Sequence, residues 1–210
     1  MLPERIVYIV DDDEAVRDSL SALLQAKGYT VGAFAYARDF LAVAPTLRIG
    51  VLITDLRMPE MDGLELQQHL IERSLSYPLI VITGHGDVPL AVRAMKAGAV
   101  DFIEKPFAAE VMLDSVAATL TRLATPAGTA EDRAALTAAA RLAELSPRER
   151  EVLKGLFSGL PNKSIAYDLG ISPRTVEIHR ARVMDKMGAR SLSELVRMSL
   201  AAGMQPDRRS

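Results

Sequence analysis

Short apolar runs alternate with longer stretches of helical periodicity along residues 1–124. The apolar runs predict strands, at 6–10, 29–34, 50–54, 78–83 and 100–104. The longer stretches predict helices, at 14–28, 37–43, 64–73, 88–98 and 109–124. Runs such as IVYIV and PLIVI are apolar on both faces, which is typical of parallel strands covered by helices on both sides. The pattern predicts an α/β domain with a five-stranded, doubly wound parallel sheet.

The pattern changes after residue 124. Residues 125–142 are rich in Ala and Thr and have almost no side chain large enough to anchor a core, so we expect a linker that is helical in part. From residue 143 helices resume without strands. Ser146, Pro147 and Glu149 form a helix start signal ahead of the apolar positions Val152 and Leu153. We expect an all-α, four-helix domain over residues 143–210.

Composition limits the possible chemistry. The chain has 210 residues, no cysteine and three histidines, so disulfides and Cys-ligated metals are excluded and a metal is expected to have oxygen ligands. No apolar stretch approaches the roughly 20 residues that span a bilayer, and the N-terminus lacks the pattern of a signal peptide. We expect a cytoplasmic protein with no membrane partner.

Charge divides the chain into an acidic and a basic part. Residues 1–124 carry 11 Lys/Arg against 17 Asp/Glu, a net of −6, whereas residues 141–190 carry 10 against 6, a net of +4. A positive surface of this size is compatible with nucleic-acid binding and also with an ordinary solvated surface.

Charged or hydroxyl side chains stand at the ends of four predicted strands: Asp11, Asp12 and Asp13 at the first, Asp55 at the third, Thr83 at the fourth and Lys105 at the fifth. Parallel strands in such a sheet end at one edge, where ligands bind near the point at which the strand order reverses. The small hydroxyl of Thr83 and the cation of Lys105 suggest a site for an anion.

Helix capping explains part of the acidic run, because Asp is favoured at N-caps and acidic residues in first turns. It accounts for Asp13 and Glu14, but not for Asp55, which follows a fully apolar strand and leads into a loop. Carboxylates brought close together repel unless a cation joins them, and oxygen ligands suit Mg²⁺. We expect Asp55 to be the nucleophile of this site.

Residues 4–124 resemble the receiver domain of two-component response regulators through Asp11-Asp12, TDLRMPEMDG, Thr83 and FIEKP. The resemblance implies that Asp55 accepts a phosphoryl group from a cognate histidine kinase. It also implies that Thr83 and Lys105 contact the phosphoryl oxygens. The Mg²⁺ ligands would be Asp12, Asp55 and the backbone carbonyl of Arg57, with Asp11 acting through water.

Three further features follow from the same resemblance. The Lys105-Pro106 peptide bond is expected to be cis, which is inexpensive only before proline. Phe102 matches an aromatic switch residue that turns inward when the Thr moves toward phosphate, although plain core packing explains it equally well. Phosphorylation is expected to convert a monomer to a homodimer through the helix after Thr83, using Val88, Leu90, Val92 and Lys96.

A helix-turn-helix pattern lies in the basic part. A helix over 162–169, a tight turn at 170–172 and a second helix opened by Ser172-Pro173 follow one another. Val176, Val183 and Met187, with His179 between them, form one stripe of the second helix, and we expect His179 to be a partly buried packing residue. The outward positions would read bases in duplex DNA: Arg174, Glu177, Ile178, Ala181 and Arg182. Phosphate contacts are expected from Lys163, Thr175, Arg180 and Lys186.

Residues 143–203 resemble the LuxR/NarL-type DNA-binding domain, and the two domains together resemble the FixJ-type response regulators. The resemblance implies a transcription activator that binds a palindromic operator and works with RNA polymerase. Nitrogen-fixation or microaerobic genes are the implied targets, although regulators of this type also serve other pathways.

The sequence leaves two other functions open. An α/β phosphatase or phosphotransferase would also use an aspartyl phosphate, but it normally needs a covering cap and a separate general acid, for which the short βα loops leave no room. The output domain could instead bind protein or RNA, and its second helix could be an ordinary amphipathic helix with solvated charges.

Overall fold

The computed structural model describes residues 5–84, 88–124 and 129–204. The chain divides into two compact units, one formed by residues 1–85 and 97–126 and the other by residues 86–96 and 127–210. The two main apolar cores lie one in each of these units. Within the described ranges, no helix is long and apolar enough to cross a membrane.

The first unit is built on five parallel strands: β1 (Ile6–Val10), β2 (Thr30–Phe34), β3 (Val51–Asp55), β4 (Leu79–Thr83) and β5 (Asp101–Glu104). Their order across the sheet is β2-β1-β3-β4-β5. The strand order reverses between the neighbours β1 and β3, so their carboxyl ends flank the position at which such sheets bind ligands. The predicted doubly wound parallel sheet is confirmed.

Helices follow the strands at α1 (Glu14–Ala26), α2 (Ala37–Val43), α3 (Gly63–Glu72), α4 (Val88–Lys96) and α5 (Ala109–Ala124), with a 3-10 turn at Ala44–Thr46. Leu20 and Leu24 of α1 and Met112 and Val116 of α5 pack on the strand residues of the core. The Asp13 side chain caps α1 by accepting from the backbone N–H groups of the next residues, as predicted. By its contacts α4 belongs to the second unit.

The second unit is otherwise helical: α6 (Thr129–Ala143), α7 (Pro147–Phe157), α8 (Asn162–Leu169), α9 (Pro173–Met187) and α10 (Leu192–Ala201). Its core contains Leu153, Ile165, Val176 and Val183. The capping box of Ser146 starts α7, and Ser172 caps α9 by accepting from the Thr175 N–H. Helices α8 and α9 form the predicted helix-turn-helix.

The segment that the sequence predicts as a linker, residues 125–142, contains all of α6 except its last residue, Ala143. Ala138 of this helix is buried, Leu142 packs on the core of the second unit, and α6 lies against α9 and α10. Alanine loses no side-chain entropy on entering a helix, so an Ala-rich segment readily becomes helical. Its small side chains anchor α6 where we expected none to do so, and a fifth helix precedes the four predicted ones.

Candidate functional site

The side chains at the ends of β1, β3 and β5 meet at one edge of the sheet. Lys105 Nζ donates to Asp55 Oδ2 at 2.5 Å and to Asp11 Oδ2 at 3.3 Å. Thr83 ends the neighbouring strand, is fully buried, and its carbonyl accepts from the Lys105 N–H at 2.8 Å. Its hydroxyl donates to the Gly84 carbonyl over a long 3.4 Å. Parallel pairing thus joins the four strand ends that the sequence singled out.

Burial and charge act against each other in this cluster. Asp11 is 1% exposed, and burial, together with the nearby charge of Asp55, raises its pKa despite the Asp13 N–H and Lys105. Burial lowers the pKa of Lys105, but Asp55 and Asp11 outweigh that effect and the pKa is raised. Lys105 is therefore an ammonium held between carboxylates, and at neutral pH it balances part of their charge.

Backbone groups fix the orientation of both carboxylates. Asp55 Oδ1 accepts from the Arg57 N–H at 2.9 Å, and Asp11 Oδ1 accepts from the Asp13 N–H at 2.9 Å. Arg17 Nη1 donates to the carbonyls of Asp11 and Asp12 at 2.8 and 2.9 Å. Sequence reasoning missed Arg17; the available signal was a cation placed one turn into the helix that follows the acidic run.

The approach of α3 keeps the loop after Asp55 short. A Cβ atom at Gly63 would lie 2.6 Å from the Asp55 carbonyl oxygen, closer than real side chains approach backbone. Asp62 caps the same helix through a capping box with Glu65. The loop of residues 56–62 is therefore closed against the strand end, and it carries the Arg57 carbonyl at its start.

The donor groups at this edge suit a hard cation. Asp11, Asp12, Asp55 and the Arg57 carbonyl supply oxygen atoms alone, and Mg²⁺ needs one or two carboxylates besides water. Over residues 5–84, 88–124 and 129–204, no three acidic, His or Cys side chains come close enough to enclose a metal ion. Asp12 is exposed, and Asp11 and Asp55 share Lys105. The set fits a cation with several water ligands better than an all-protein cage.

The predicted switch and dimer residues have different surroundings. The Lys105-Pro106 peptide bond is cis, as predicted, and Phe102 is buried in β5. In α4, Val92 is buried, Leu90 is half-buried, and Lys96 Nζ lies 4.4 Å from the centroid of the Phe157 ring. The side chain of Val88 lies outside the described residues. The switch and dimer roles stay predictions.

Helix α9 presents the face that the sequence predicts. Val176, Val183 and Met187 are buried and His179 is half-buried. The predicted base-reading residues are all exposed: Arg174, Glu177, Ile178, Ala181 and Arg182. Of the predicted phosphate contacts, Lys163 is exposed on α8, and Thr175 and Arg180 are half-buried. The outward surface of α9 is polar and basic with an exposed isoleucine.

Lys186 has a partner that the sequence did not predict. Its Nζ donates to Glu149 Oε2 at 2.7 Å, and the Glu149 residue is 4% exposed. The hydrogen bond from Lys186 and those from Ser146 lower the pKa of Glu149 to about 2. Lys186 is thus ion-paired inside the second unit, and its predicted contact with a DNA phosphate stays a prediction.

Known families match both units. The response regulator receiver domain matches residues 7–117, and the bacterial regulatory proteins of the luxR family match residues 143–199. The first match contains all the strand-end residues of the site. The second contains α8 and α9.

Relatives match almost the whole length of the chain. The transcriptional regulatory protein FixJ of Rhizobium meliloti (strain 1021) is 56% identical over 200 residues, which are 95% of this chain and 97% of that protein. The response regulator protein TmoT of Ectopseudomonas mendocina is 43% identical over 93% of this chain and 88% of its own length. The crystal structure of full-length FixJ from B. japonicum has 48% identity and a TM-score of 0.56, covering 96% of this chain and 98% of that one.

These matches place a receiver domain before a DNA-binding domain in one chain, in relatives that are regulators of transcription rather than enzymes. The phosphotransferase alternative is thereby set aside. The chain belongs to the FixJ-type response regulators, with a receiver domain followed by a LuxR-type DNA-binding domain.

Proposed function

We propose that Asp55 accepts a phosphoryl group from a cognate histidine kinase and that this modification controls DNA binding by α9. The contact of Lys105 Nζ with both Asp55 and Asp11 is the observation that carries the proposal. It supplies a positive charge beside a carboxylate that is 15% exposed, and phosphoryl transfer needs such a charge for positioning and neutralisation.

The transfer forms one bond and breaks another. An oxygen of the Asp55 carboxylate attacks phosphorus, a P–O bond forms, and the P–N bond to the donor histidine breaks with its electron pair leaving on nitrogen. Lys105 pairs with a phosphoryl oxygen, and the Thr83 hydroxyl, weakly engaged at 3.4 Å in the resting chain, is available to donate to another.

The resident cation of this site would be Mg²⁺, held by Asp55, Asp12 and the Arg57 carbonyl, with Asp11 acting through water. It would neutralise the negative charge that builds up on the transferring group. To bind such a cation, Asp11 and Asp55 would have to divide their interactions between Lys105 and the cation. The hydrogen bond from the Arg57 N–H fixes the direction of one oxygen of Asp55.

Movement of Thr83 toward the phosphoryl group would be followed by Phe102, whose partner in the β4–β5 pairing is Val81, two residues before Thr83. The proposed result is a homodimer formed through Val88, Leu90, Val92 and Lys96. Helix α4 is the next element of the chain after β4, so the proposal makes it the element that a shift of Thr83 would move.

Two copies of the second unit suit a palindromic operator in double-stranded DNA. Base edges would be read by the exposed residues of α9 given above, while Lys163, Thr175 and Arg180 hold phosphates. From this position the protein would act with RNA polymerase at its promoters, in the cytoplasm.

The genes controlled are inferred from the relatives. Three of them carry the name FixJ, at 50 to 56% identity, which favours nitrogen-fixation or microaerobic genes. Two further relatives, TmoT and Nodulation protein W, have 43% and 42% identity and carry other names. Control of another pathway is therefore the alternative. Sequencing of DNA bound by the phosphorylated protein in its host would separate the two.

The phosphoacceptor is tested with acetyl phosphate and Mg²⁺, which replace the kinase. Wild-type protein should gain one phosphoryl group that hydroxylamine removes, measured by intact mass. Asp55→Asn should gain none, because an amide nitrogen is not a nucleophile here. Asp18→Asn, a change at an exposed aspartate of α1, is the matched control and should react at the wild-type rate. Modification of Asp55→Asn at that rate would refute the assignment.

A further inference from the structure

The buried carboxylate of Glu149 does more than cap a helix. Its Oε2 accepts from the Ser146 N–H at 2.8 Å, which completes the capping box of α7. The same oxygen accepts from Lys186 Nζ at 2.7 Å, a residue 37 positions away in α9. The cap needs the first bond and not the second, so the second bond calls for its own explanation.

The C-terminal end of α9 is tied down by two cations. Besides Glu149, Lys186 Nζ reaches the Glu144 carbonyl at 3.4 Å. Arg141 Nη1 donates to the carbonyl of Met187, the last residue of α9, at 2.7 Å. The packing there is close: a Cβ atom at Gly188, which has φ +66, would lie 2.4 Å from Arg141 Nη1. These bonds attach the end of α9 to the last turn of α6, to Glu144 after it and to the first turn of α7.

A phosphate contact by Lys186 would compete with this arrangement. If Lys186 left Glu149 to contact DNA, it would leave an unpaired carboxylate in a buried position, which is costly. A phosphate at the protein surface offers a partner that is solvated and screened by salt. We therefore expect Lys186 to keep its ion pair with Glu149 when DNA binds.

We propose that Glu149 is a positioning residue for DNA recognition, which holds α9 in place through Lys186, and that Lys186 is an anchor of α9 and not a phosphate contact. The inference rests on the proposed DNA-binding role of α9. Arg141, which lies in α6, would support the same end of α9. It precedes the luxR-family match, which begins at residue 143.

The direction in which one substitution changes DNA affinity separates a positioning role from a simple effect of charge. Glu149→Gln in the full-length chain keeps a side chain that suits the capping box but removes the charge that holds Lys186. Loss of a negative charge should by itself strengthen binding to DNA or leave it unchanged. Positioning predicts the opposite for a specific duplex. We expect about tenfold weaker binding to it, which corresponds to about 1.4 kcal/mol, with unchanged binding to a scrambled duplex.

The matched control is Glu194→Gln. Glu194 occupies the first turn of α10, where it accepts from the Arg190 N–H at 2.8 Å, and no ion pair is found for it within the described ranges. This variant should bind like the wild type. The probe is a duplex that phosphorylated wild-type protein selects from a random library, and circular dichroism verifies that each variant is folded.

The salt dependence of binding tests Lys186 independently, even if Glu149→Gln fails to fold. Lys163→Met removes a proposed phosphate contact and should lower the slope of log affinity against log salt by about 1. Lys186→Met should weaken specific binding but leave the slope unchanged. The double variant Glu149→Gln/Lys186→Met should bind DNA no more weakly than Lys186→Met, because the two changes remove the same ion pair.

Two results would overturn the inference: wild-type affinity and specificity in folded Glu149→Gln, or a slope lowered by about 1 in Lys186→Met. If wild-type protein selects no duplex at all, the proposed DNA-binding function fails instead, so the two failures are distinguishable.

Discussion

Lys105→Met tests how strongly one ammonium group stabilises the strand ends of the receiver. The substitution keeps a long side chain and removes hydrogen bonds of 2.5 Å to Asp55 and 3.3 Å to Asp11. Hydrogen bonds to charged groups contribute about 1.5–3 kcal/mol each. The Asp11 contact is long and the Lys105 side chain is 29% exposed, which weakens both bonds through solvent screening. We expect a total loss of about 2 kcal/mol in the free energy of unfolding of the first unit.

The loss should depend on pH with a defined sign. Burial already raises the pKa of Asp11 above its ordinary value of 3.8, and removal of the ammonium raises it further. A carboxyl group with a raised pKa in the folded state destabilises that state above this pKa, and the penalty fades as the pH falls through it. The difference between wild type and variant should therefore be largest above neutral pH and shrink toward pH 3.8.

Amide hydrogen exchange of β1 and β3 measures this free energy for the first unit without interference from the second. Exchange is followed without divalent ions at several pH values and corrected for intrinsic rates. Lys27→Met, at an exposed lysine after α1, is the control and should change protection little. Unchanged protection in Lys105→Met, or a loss that grows as the pH falls, would refute the reasoning.

Three further predictions concern other single residues. In Glu149→Gln the difference in stability from wild type should shrink as the pH falls from the ordinary glutamate pKa of 4.5 to about 2, because the pKa of Glu149 in the folded chain is lowered to that value. Acid titration followed by circular dichroism measures this difference, and a difference that grows as the pH falls contradicts the prediction. Thr83→Val should change resting stability by less than about 1 kcal/mol, since the hydroxyl bond is 3.4 Å long, yet abolish dimerisation on phosphorylation in sedimentation experiments; a normal dimer would exclude the switch role. Gly188→Ala should cost about 1–2 kcal/mol or more in thermal unfolding because of its φ of +66 and the nearby Arg141, and a neutral effect would contradict that strain.

Much of the receiver site follows from the sequence because two general rules apply to it. Runs apolar on both faces predict buried parallel strands, and the carboxyl ends of such strands share an edge. These rules place Asp11, Asp55, Thr83 and Lys105 together although they are far apart in the chain. They do not supply distances, and the sharing of Lys105 between two carboxylates is visible only in the structure.

The second unit was harder to predict because its key contacts depend on small residues and on pairs far apart. The α6 segment has few large side chains, yet buried Ala138 shows that small ones anchor it. Glu149 looked like a simple capping residue, and Lys186 like a surface cation on a DNA-binding helix. Pairing between them depends on how α7 and α9 pack, which periodicity within each helix does not determine.

The order of the strands in the sequence has a consequence for protein synthesis. Lys105 comes 94 positions after Asp11 and 50 after Asp55. A nascent chain that has left the ribosome up to residue 100 carries all the acidic groups of the site but lacks β5 and the ammonium that balances them. The acceptor is thus completed by the last strand to emerge, and an unfinished receiver lacks the lysine charge that the proposed phosphoryl transfer uses beside Mg²⁺. Under the proposed function, the kinase would transfer its phosphoryl group only to chains whose receiver has been fully translated.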